Sequence, residues 1–377
     1  MEIYFDNAAT TQVSKKAAET AYKVMTKAYG NPSSVHNQGI EADKILKNSR
    51  KTIADYLKSR PEQIIFTSGG TEANNLAIQG AAAIRSGRGR HIISSQIEHP
   101  SIYKQFDKLR DSGYEITLVE PDTSGIIQPE DVIAEIRDDT ILISIMHVNN
   151  ITGAIQPVRE ISQKAKNINH KIIIHSDMIQ ALGKIESSPG DWKLDLASFS
   201  GHKLHGPKGT GFLYLNQAHY VEPILFGGGQ EQNLRSGTEN LPGIAGMAKA
   251  VEELGEFNNY RANINSIKKQ IINRMKKEIP EVIINTPEKS APHIINISVP
   301  GIPGEVIVNA LNNQDIYISS GSACSGSSIK SNHVLEAMGL DEKISSSSVR
   351  ISLSKYNTQK EADQLINILK EELNFLL

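Results

Sequence analysis

Short apolar segments rich in β-branched residues alternate with longer segments of helical periodicity along the first two-thirds of the chain. Stretches of helical period such as TEANNLAIQGAAAI, PSIYKQFDKLRDSG, PEDVIAEIRDD and PVREISQKAKNIN separate the apolar segments. Buried strands joined by crossover helices predict a mostly parallel sheet with helices on both faces, which is an α/β fold. The apolar segments are IIFTS (64–68), HIISS (91–95), EITLVE (115–120), ILISIMHV (141–148), KIIIH (171–175) and LASFS (196–200).

The pattern changes near residue 250. The stretch AKAVEELGEFNNYRANINSIKKQIINRMKKEI predicts one long helix or two stacked helices. A strand (HIINISV), a helix (GEVIVNALNN), a second strand (VRISLS) and a C-terminal helix follow it. We therefore predict a large domain over residues 13–255, and a smaller α+β domain made of residues 1–12 and 256–377.

Composition and charge exclude several classes of protein. The 377 residues are 39% hydrophobic and carry a formal net charge of −2, which gives no basic surface for direct nucleic-acid binding. No apolar run approaches the roughly 20 residues that span a bilayer. The first residues lack a positive segment and a long apolar core, so we expect no signal peptide. The chain has one cysteine and hence no internal disulfide, so we expect a reducing, cytoplasmic setting and no membrane contact.

The segment SFSGHKLHGPKGTGFLYL (198–215) contains the strongest chemical signal. Lys203 follows a strand within a glycine-flanked turn, where its amine can form a Schiff base while Ser200 and His202 hydrogen-bond an anion. Ser200 and Lys203 also fit the Ser-x-x-Lys pattern of acyl-serine enzymes, but the Ser-Asp-Asn partner motif is absent. His202 and His205 fit a metal pair, but no further ligand completes a set, so we expect no metal.

Two further segments complete the candidate site. Asp177 follows a buried strand and is either a helix cap or, beside a Schiff-base lysine, the partner of the protonated nitrogen of a pyridine-type cofactor ring. Gln180 would then lie close to the oxygen on that ring. The segment TSGGTEANN (67–75) joins a strand to a helix start, where backbone N–H groups bind phosphate. Together these features predict a pyridoxal 5′-phosphate site at the carboxyl ends of the strands.

Ordered motifs along nearly the whole chain resemble those of the cysteine desulfurases, which are class-V aminotransferases of the fold-type-I architecture. The resemblance implies a fold-type-I transferase with a large α/β/α domain and a smaller α+β domain, acting as a homodimer. Ile151 and Met178 depart from the family pattern, which affects the expected shape of the pocket wall. The motifs are YFDNAATT, NPSSVH, FTSGGTEANN, EHPS, HSDMIQ, SFSGHKLHGPKG, GGGQEQNLRSGTEN, SSGSACSG and SVRISLS.

The resemblance also implies a role for individual residues. Lys203 bonds to the cofactor covalently, His99 stacks on its ring, and Asp177 pairs with the ring nitrogen. Arg350, assisted by Asn31, binds the substrate carboxylate, for which a planar bidentate cation is suited. Further cofactor contacts are implied for Gly70, Thr71, Asn150, Gln180, Ser200, Gly201 and His202, and for Thr238 from the partner subunit.

Cys324 lies in the Ser/Gly-rich segment SSGSACSGSS (319–328) and is implied to be the sulfur acceptor. The implied reaction converts L-cysteine to L-alanine and leaves a persulfide on Cys324. The sulfur then passes to an acceptor protein for iron–sulfur cluster assembly or tRNA thiolation. We also expect residues 322–332 to be mobile. Selenocysteine lyase, an ordinary aminotransferase and a non-catalytic sulfur-trafficking scaffold are the alternatives.

Overall fold

The computed structural model describes residues 2–217, 220–320 and 333–376, and in this part of the chain strands and helices alternate. The strands are β1 (Ile3–Tyr4), β2 (Ile64–Thr67), β3 (His91–Ser95), β4 (Glu115–Val119), β5 (Thr140–Ser144), β6 (Ile173–Asp177), β7 (Leu196–Ser200), β8 (Gly211–Leu215), β9 (Ile283–Ile284), β10 (Ile294–Ser298), β11 (Ile316–Tyr317), β12 (Ser319–Ser320) and β13 (Ser348–Ser352). The helices are α1 (Lys15–Lys27), α2 (Asn37–Tyr56), α3 (Gly70–Arg85), α4 (Pro100–Asp111), α5 (Pro129–Ala134), α6 (Val158–Ile168), α7 (Leu241–Glu252), α8 (Phe257–Glu278), α9 (Gly304–Asn312), α10 (His333–Ala337), α11 (Glu342–Ser346) and α12 (Gln359–Leu376).

A seven-stranded sheet in the order β2-β8-β7-β6-β5-β3-β4 forms the centre of the fold. Strands β7, β6, β5, β3 and β4 pair in parallel, whereas β8 runs antiparallel between β2 and β7. The predicted mostly parallel α/β sheet is therefore confirmed. Each apolar segment of the sequence pattern contributes one of its strands.

Both faces of this sheet are buried. Ile92 and Ile93 are neighbours on β3, but they belong to different apolar clusters because successive strand side chains point to opposite faces. The same alternation separates Leu142 from Ile143 on β5. Strands that are buried on both sides are apolar throughout, which is why the sequence shows continuous runs here.

A second, smaller sheet lies in the C-terminal part of the chain. It has the antiparallel order β12-β13-β10-β9, and β1 pairs in parallel with β11 beside it. Ile3 and Phe5 of the N-terminal segment belong to the same apolar cluster as residues of α8, α9 and α12. The N-terminal residues thus pack with the C-terminal sheet, and the exact domain bounds given above stay a prediction.

Several elements differ from the sequence pattern. The helix expected over residues 129–139 is only the six residues of α5. The long helical stretch after residue 247 is divided by a 3₁₀ turn at Glu253–Glu256 into α7 and α8, as the two-helix alternative has it. Helices α1 and α2 were not singled out by the pattern. None of the helices in the described ranges combines the length and apolar character that crossing a bilayer requires.

Candidate active site

A cavity of about 190 Å³ lies at the carboxyl ends of the parallel strands. Five strands deliver residues to it, because their carboxyl ends, or the segments that follow them, meet at this edge of the sheet. Ten of the residues predicted for the site line this one cavity. These ten are Gly70, Thr71, His99, Asn150, Asp177, Gln180, Ser200, His202, Lys203 and Arg350.

Lys203 lies in a 3₁₀ turn that begins directly after β7. Its Nζ donates hydrogen bonds to the backbone carbonyls of Ala8 and Ala9, each at 2.7 Å. Lys184 is buried next to it and donates from Nζ to the carbonyl of Lys203 at 2.9 Å. Burial first, and then the Lys203 charge, lower the pKa of Lys184 to about 7. The turn is therefore held both by the N-terminal segment and by a buried amine.

Asp177 is the last residue of β6 and is buried. Oδ1 accepts a hydrogen bond from the backbone N–H of Ile179 at 3.0 Å, and Oδ2 accepts one from Asn74 Nδ2 at 2.8 Å. A turn, not a helix, follows Asp177, so the helix-cap interpretation is wrong. Burial raises the pKa of this carboxyl, although both hydrogen bonds and the Lys203 charge oppose the rise. A carboxylate of raised proton affinity, fixed in a buried turn, is suited to pair with a protonated ring nitrogen.

The N-terminus of α3 and the end of β7 together provide anion-binding groups. Helix α3 begins at Gly70, so its first N–H groups and the helix dipole face the cavity. Ser200 is buried, and its Oγ has no hydrogen-bond partner among the described residues. His202 Nδ1 lies 3.2 Å from Thr10 Oγ1. The His202 pKa is lowered to about 4, mainly by burial and then by the charges of nearby lysines. An unsatisfied buried hydroxyl beside a helix N-terminus fits a bound phosphate.

His99 caps α4 from inside the cavity. Its Nδ1 accepts a hydrogen bond from the backbone N–H of Ser101 at 3.1 Å. Burial, followed by the charges of Lys203 and His333, lowers the His99 pKa to about 4. The ring is therefore neutral at pH 7 and can stack on an aromatic ligand without carrying a charge.

Glu98, which the sequence analysis did not single out, lies behind His99. Oε1 accepts hydrogen bonds from Ser95 Oγ at 2.7 Å and from the backbone N–H of Met146 at 2.8 Å. Burial raises the Glu98 pKa to about 8, so this carboxyl is mostly protonated at pH 7. Glu98 thereby joins the ends of β3 and β5 without adding a full negative charge beside Asp177.

Arg350 on β13 brings a cation from the C-terminal sheet to the cavity. Its guanidinium donates to Asp6 Oδ1 at 2.8 Å and to the carbonyl of Asn150 at 3.0 Å. The Nε of this buried side chain has no hydrogen-bond partner among the described residues. Arg350 therefore keeps donor capacity for a carboxylate while Asp6 and Asn150 fix its plane.

Three of the predicted site residues that the structure describes do not line the cavity of the chain. Asn31 and Thr238 are exposed, and Gly201 is buried behind the cavity, where an added Cβ would meet Thr210 Oγ1 at 2.5 Å. Cys324 and the whole predicted mobile segment, residues 322–332, lie outside the described residues. Their roles stay predictions.

The alternatives considered for single motifs do not fit the geometry. Ser200 Oγ has no partner in the described residues, so it is not hydrogen-bonded to Lys203 as an acyl-serine pair would be. His205 Nδ1 bonds the carbonyl of Gln12 at 2.8 Å, so it tethers the N-terminal segment. Within the ranges that the structure describes, no group of three or more His, Cys, Asp or Glu side chains is placed to hold a metal ion.

The two departures from the family pattern, Met178 and Ile151, concern residues outside the lining of the described cavity. Met178 is fully buried in the core and Ile151 packs against the same apolar cluster, and neither lines the cavity. Ile179 lines it instead. No motif marked Ile179, because whether residue 178 or 179 faces the cavity depends on the turn that follows Asp177.

The donor set fits pyridoxal phosphate. The α3 N-terminus and the unpartnered Ser200 hydroxyl could bind the cofactor phosphate. Asp177 could pair with the cofactor's ring nitrogen, and the Lys203 amine could react with its aldehyde carbon. An added Cβ at Gly70 would lie 2.1 Å from Ile179 Cδ1, so a side chain there would displace the Ile179 side chain that lines the cavity. A glycine there lets the start of α3 approach a ligand closely.

Comparisons with known proteins agree with this assignment. The model of the family "Aminotransferase class-V" matches residues 3–365. The chain is 43% identical to a "NifS/IcsS protein homolog" of Lactobacillus delbrueckii subsp. bulgaricus, over 98% of this chain and 96% of that protein. It is 38% identical to "Cysteine desulfurase IscS" of Dictyoglomus turgidum, over 98% and 94%.

Solved structures are similar along the same length. A "NIFS-LIKE PROTEIN" superposes with a TM-score of 0.94 at 36% identity and covers 100% of both chains. "SspA in complex with cysteine" gives a TM-score of 0.82 at 34% identity, over 95% of this chain and 100% of that one.

Proposed function

The chain belongs to the class-V aminotransferase family, as a pyridoxal-phosphate-dependent cysteine desulfurase of the fold-type-I architecture, and on this basis we propose how its residues divide the reaction. The proposal is that L-cysteine becomes L-alanine while its sulfur moves to Cys324. The observation that carries it is the convergence of Lys203, Asp177 and Arg350 on one cavity.

Three groups are proposed to hold the cofactor. Lys203 would hold it covalently through Nζ, Asp177 would pair with its ring nitrogen, and the α3 N-terminus with Ser200 and His202 would bind its phosphate. When bound, pyridoxal phosphate withdraws electrons from the Cα of an attached amino acid. The neutral His99 ring would cover one face of the cofactor ring and exclude water from it.

Arg350 is proposed to orient the substrate through its carboxylate. Its Nε has no partner in the described residues, and Asp6 and Asn150 fix the plane of the guanidinium. A guanidinium whose plane is fixed can bind a carboxylate with two parallel N–H···O bonds. Cα of the substrate would then lie within reach of Lys203, whose Nζ, as a free amine, would accept the Cα proton.

The sulfur step is proposed to occur at Cys324. Its thiolate attacks the substrate sulfur, the new S–S bond forms, and the Cβ–S bond breaks with its electron pair leaving on carbon. Protonation of that carbon gives alanine, so L-cysteine and an enzyme thiol yield L-alanine and an enzyme persulfide. No oxidant is consumed in this exchange, because the carbon is reduced as the sulfur is oxidised.

The products test this reaction against its rivals. With L-cysteine and an external thiol that reduces the persulfide, purified protein is expected to release alanine and sulfide in equal amounts. A pyruvate-type 2-oxo acid that still carries the substrate sulfur, formed without sulfide, would indicate an ordinary aminotransferase and would contradict the proposal. Turnover of selenocysteine but not of cysteine would indicate a selenocysteine lyase instead, and a colourless protein that takes up no cofactor would indicate a scaffold.

The destination of the sulfur is proposed to be an acceptor protein, either an iron–sulfur scaffold or a tRNA-thiolating enzyme. Labelled sulfur followed from the Cys324 persulfide into each candidate distinguishes the two. A reducing compartment preserves a reactive thiol, so we place the protein in the cytoplasm. Cell fractionation tests that location.

We further propose a homodimer in which Thr238 completes the phosphate site of the partner subunit. Thr238 is exposed and does not line the cavity of its own chain. Lys203→Ala and Thr238→Ala protomers, each weakly active alone, are expected to regain activity when refolded together. About half of the refolded dimers are mixed, and each mixed dimer has one of its two sites with both groups intact. The refolded mixture is therefore expected to show about a quarter of the activity of the same amount of native protein. A fully active monomer in sedimentation analysis would contradict this proposal.

A further inference from the structure

Gln180 presents a defined hydrogen-bonding group to the cavity. The side chain is buried, lines the cavity, and donates from Nε2 to the carbonyl of Ala8 at 2.9 Å. Its Oε1 lies 3.2 Å from Nε2 of His293, a fully buried residue that does not line this cavity. Each end of the amide therefore has a hydrogen-bond partner within the protein.

The identity of these atoms determines the direction of the second hydrogen bond. An amide oxygen can only accept, so His293 must carry its proton on Nε2 and donate it to Gln180 Oε1. The pKa of His293 lies well below its usual value. Burial is the largest cause, followed by the positive charges of Lys184, Lys268, Arg350 and Lys203. His293 is therefore neutral, with its single proton on the nitrogen that faces Gln180.

The contacts with Ala8 and His293 together keep the amide of Gln180 from turning over. A flip would place the amide oxygen against the Ala8 carbonyl, an acceptor–acceptor contact that no tautomer of His293 relieves. In the observed orientation His293 holds the oxygen end of the amide by donating to it from Nε2. In the observed orientation one N–H of Nε2 bonds to Ala8 and one N–H remains. The group that Gln180 offers to a ligand is consequently a donor.

We propose that His293 is a positioning residue that holds the Gln180 amide so that this N–H donates to an oxygen of the bound cofactor. The inference rests on the proposed placement of pyridoxal phosphate beside Gln180. It assigns His293, which no motif of the sequence marked, a role that acts through another side chain and not by direct contact.

The test measures cofactor binding rather than turnover. Apoprotein is titrated with pyridoxal phosphate, and both the dissociation constant and the visible absorption spectrum of the complex are recorded. Gln180→Leu and His293→Leu are each expected to raise the dissociation constant about tenfold, the worth of one buried hydrogen bond, and to shift the absorption maximum. His293→Gln keeps an N–H donor and is expected to restore most of the affinity.

The control is a buried histidine elsewhere. His91 is fully buried, and both ring nitrogens contact threonine hydroxyls, Thr140 Oγ1 at 2.8 Å and Thr117 Oγ1 at 2.9 Å. His91→Leu is expected to lower the melting temperature but to leave the dissociation constant and the spectrum unchanged. An equal change in His91→Leu would mean that the loss of any buried histidine perturbs the site, and would overturn the proposal.

The double variant shows whether His293 acts through Gln180. In the Gln180→Leu background, His293→Leu is expected to change the dissociation constant by less than about twofold, because the orienting contact has lost its target. A full tenfold effect in that background would overturn the positioning role. Native affinity in Gln180→Leu alone would also overturn it, by contradicting the placement of the cofactor. These outcomes are separate from the sulfur-transfer proposal, since neither L-cysteine nor Cys324 takes part in the titration.

Discussion

Lys203→Ala is expected to abolish the borohydride-trappable link between protein and cofactor and to slow sulfide release from L-cysteine by at least about 10³-fold. Lys203 combines two functions in the proposal, since the same Nζ holds the cofactor and later moves the Cα proton. Alanine can do neither. The measurement is mass spectrometry of the borohydride-reduced protein, together with the initial rate of sulfide formation.

Two controls separate this effect from general damage to the site. Lys208, an exposed lysine five positions on, is expected to be replaceable by alanine without loss of the covalent link. Arg350→Met is expected to keep the link, because Arg350 does not contact Lys203, but to raise the KM for L-cysteine at least about tenfold. The substitution removes the carboxylate contact together with the bonds to Asp6 and Asn150 that fix the guanidinium. A Lys203→Ala protein with a trappable link at native yield would contradict the assignment of Lys203.

Cys324→Ser is expected to reduce sulfide release to the background rate while cofactor affinity stays native. The thiolate is the nucleophile in sulfur transfer, and a serine hydroxyl remains protonated at neutral pH and is a poor substitute. Cofactor binding depends on Lys203, Asp177 and the α3 N-terminus, which this substitution does not touch. Ser328→Ala, in the same segment, is the matched control and is expected to keep most of the activity.

The strands that are buried on both faces of the central sheet could be predicted from the sequence. The strands β2 to β7 were found because apolar residues continue along them, as at Ile92 and Ile93, where each faces a different core. Strands of two residues, such as β9 and β12, have no such pattern, because a dipeptide does not establish a period. The helix after Gln128 was overestimated, since an amphipathic sequence alone does not determine where a helix ends.

The site residues that come directly after a strand of the parallel sheet could be predicted from the sequence. Lys203 and Asp177 come directly after β7 and β6, so their meeting follows from the parallel sheet. Asn74, Glu98 and His293 escaped detection because their roles depend on contacts between distant segments. Asn74 is 103 positions from Asp177, and His293 is 113 positions from Gln180. Pairs of this kind leave no local spacing that a sequence pattern can reveal.

The most direct test of the sulfur-transfer mechanism is mass spectrometry of the Cys324 peptide after a single exposure of the holoenzyme to L-cysteine without external thiol. The native protein is expected to carry one extra sulfur atom on Cys324 and to have released one alanine per persulfide, and the Cys324→Ser protein is expected to show neither. Alanine and sulfide formed at native rates by the Cys324→Ser protein, or an unmodified Cys324 in an actively turning-over native enzyme, would contradict the mechanism.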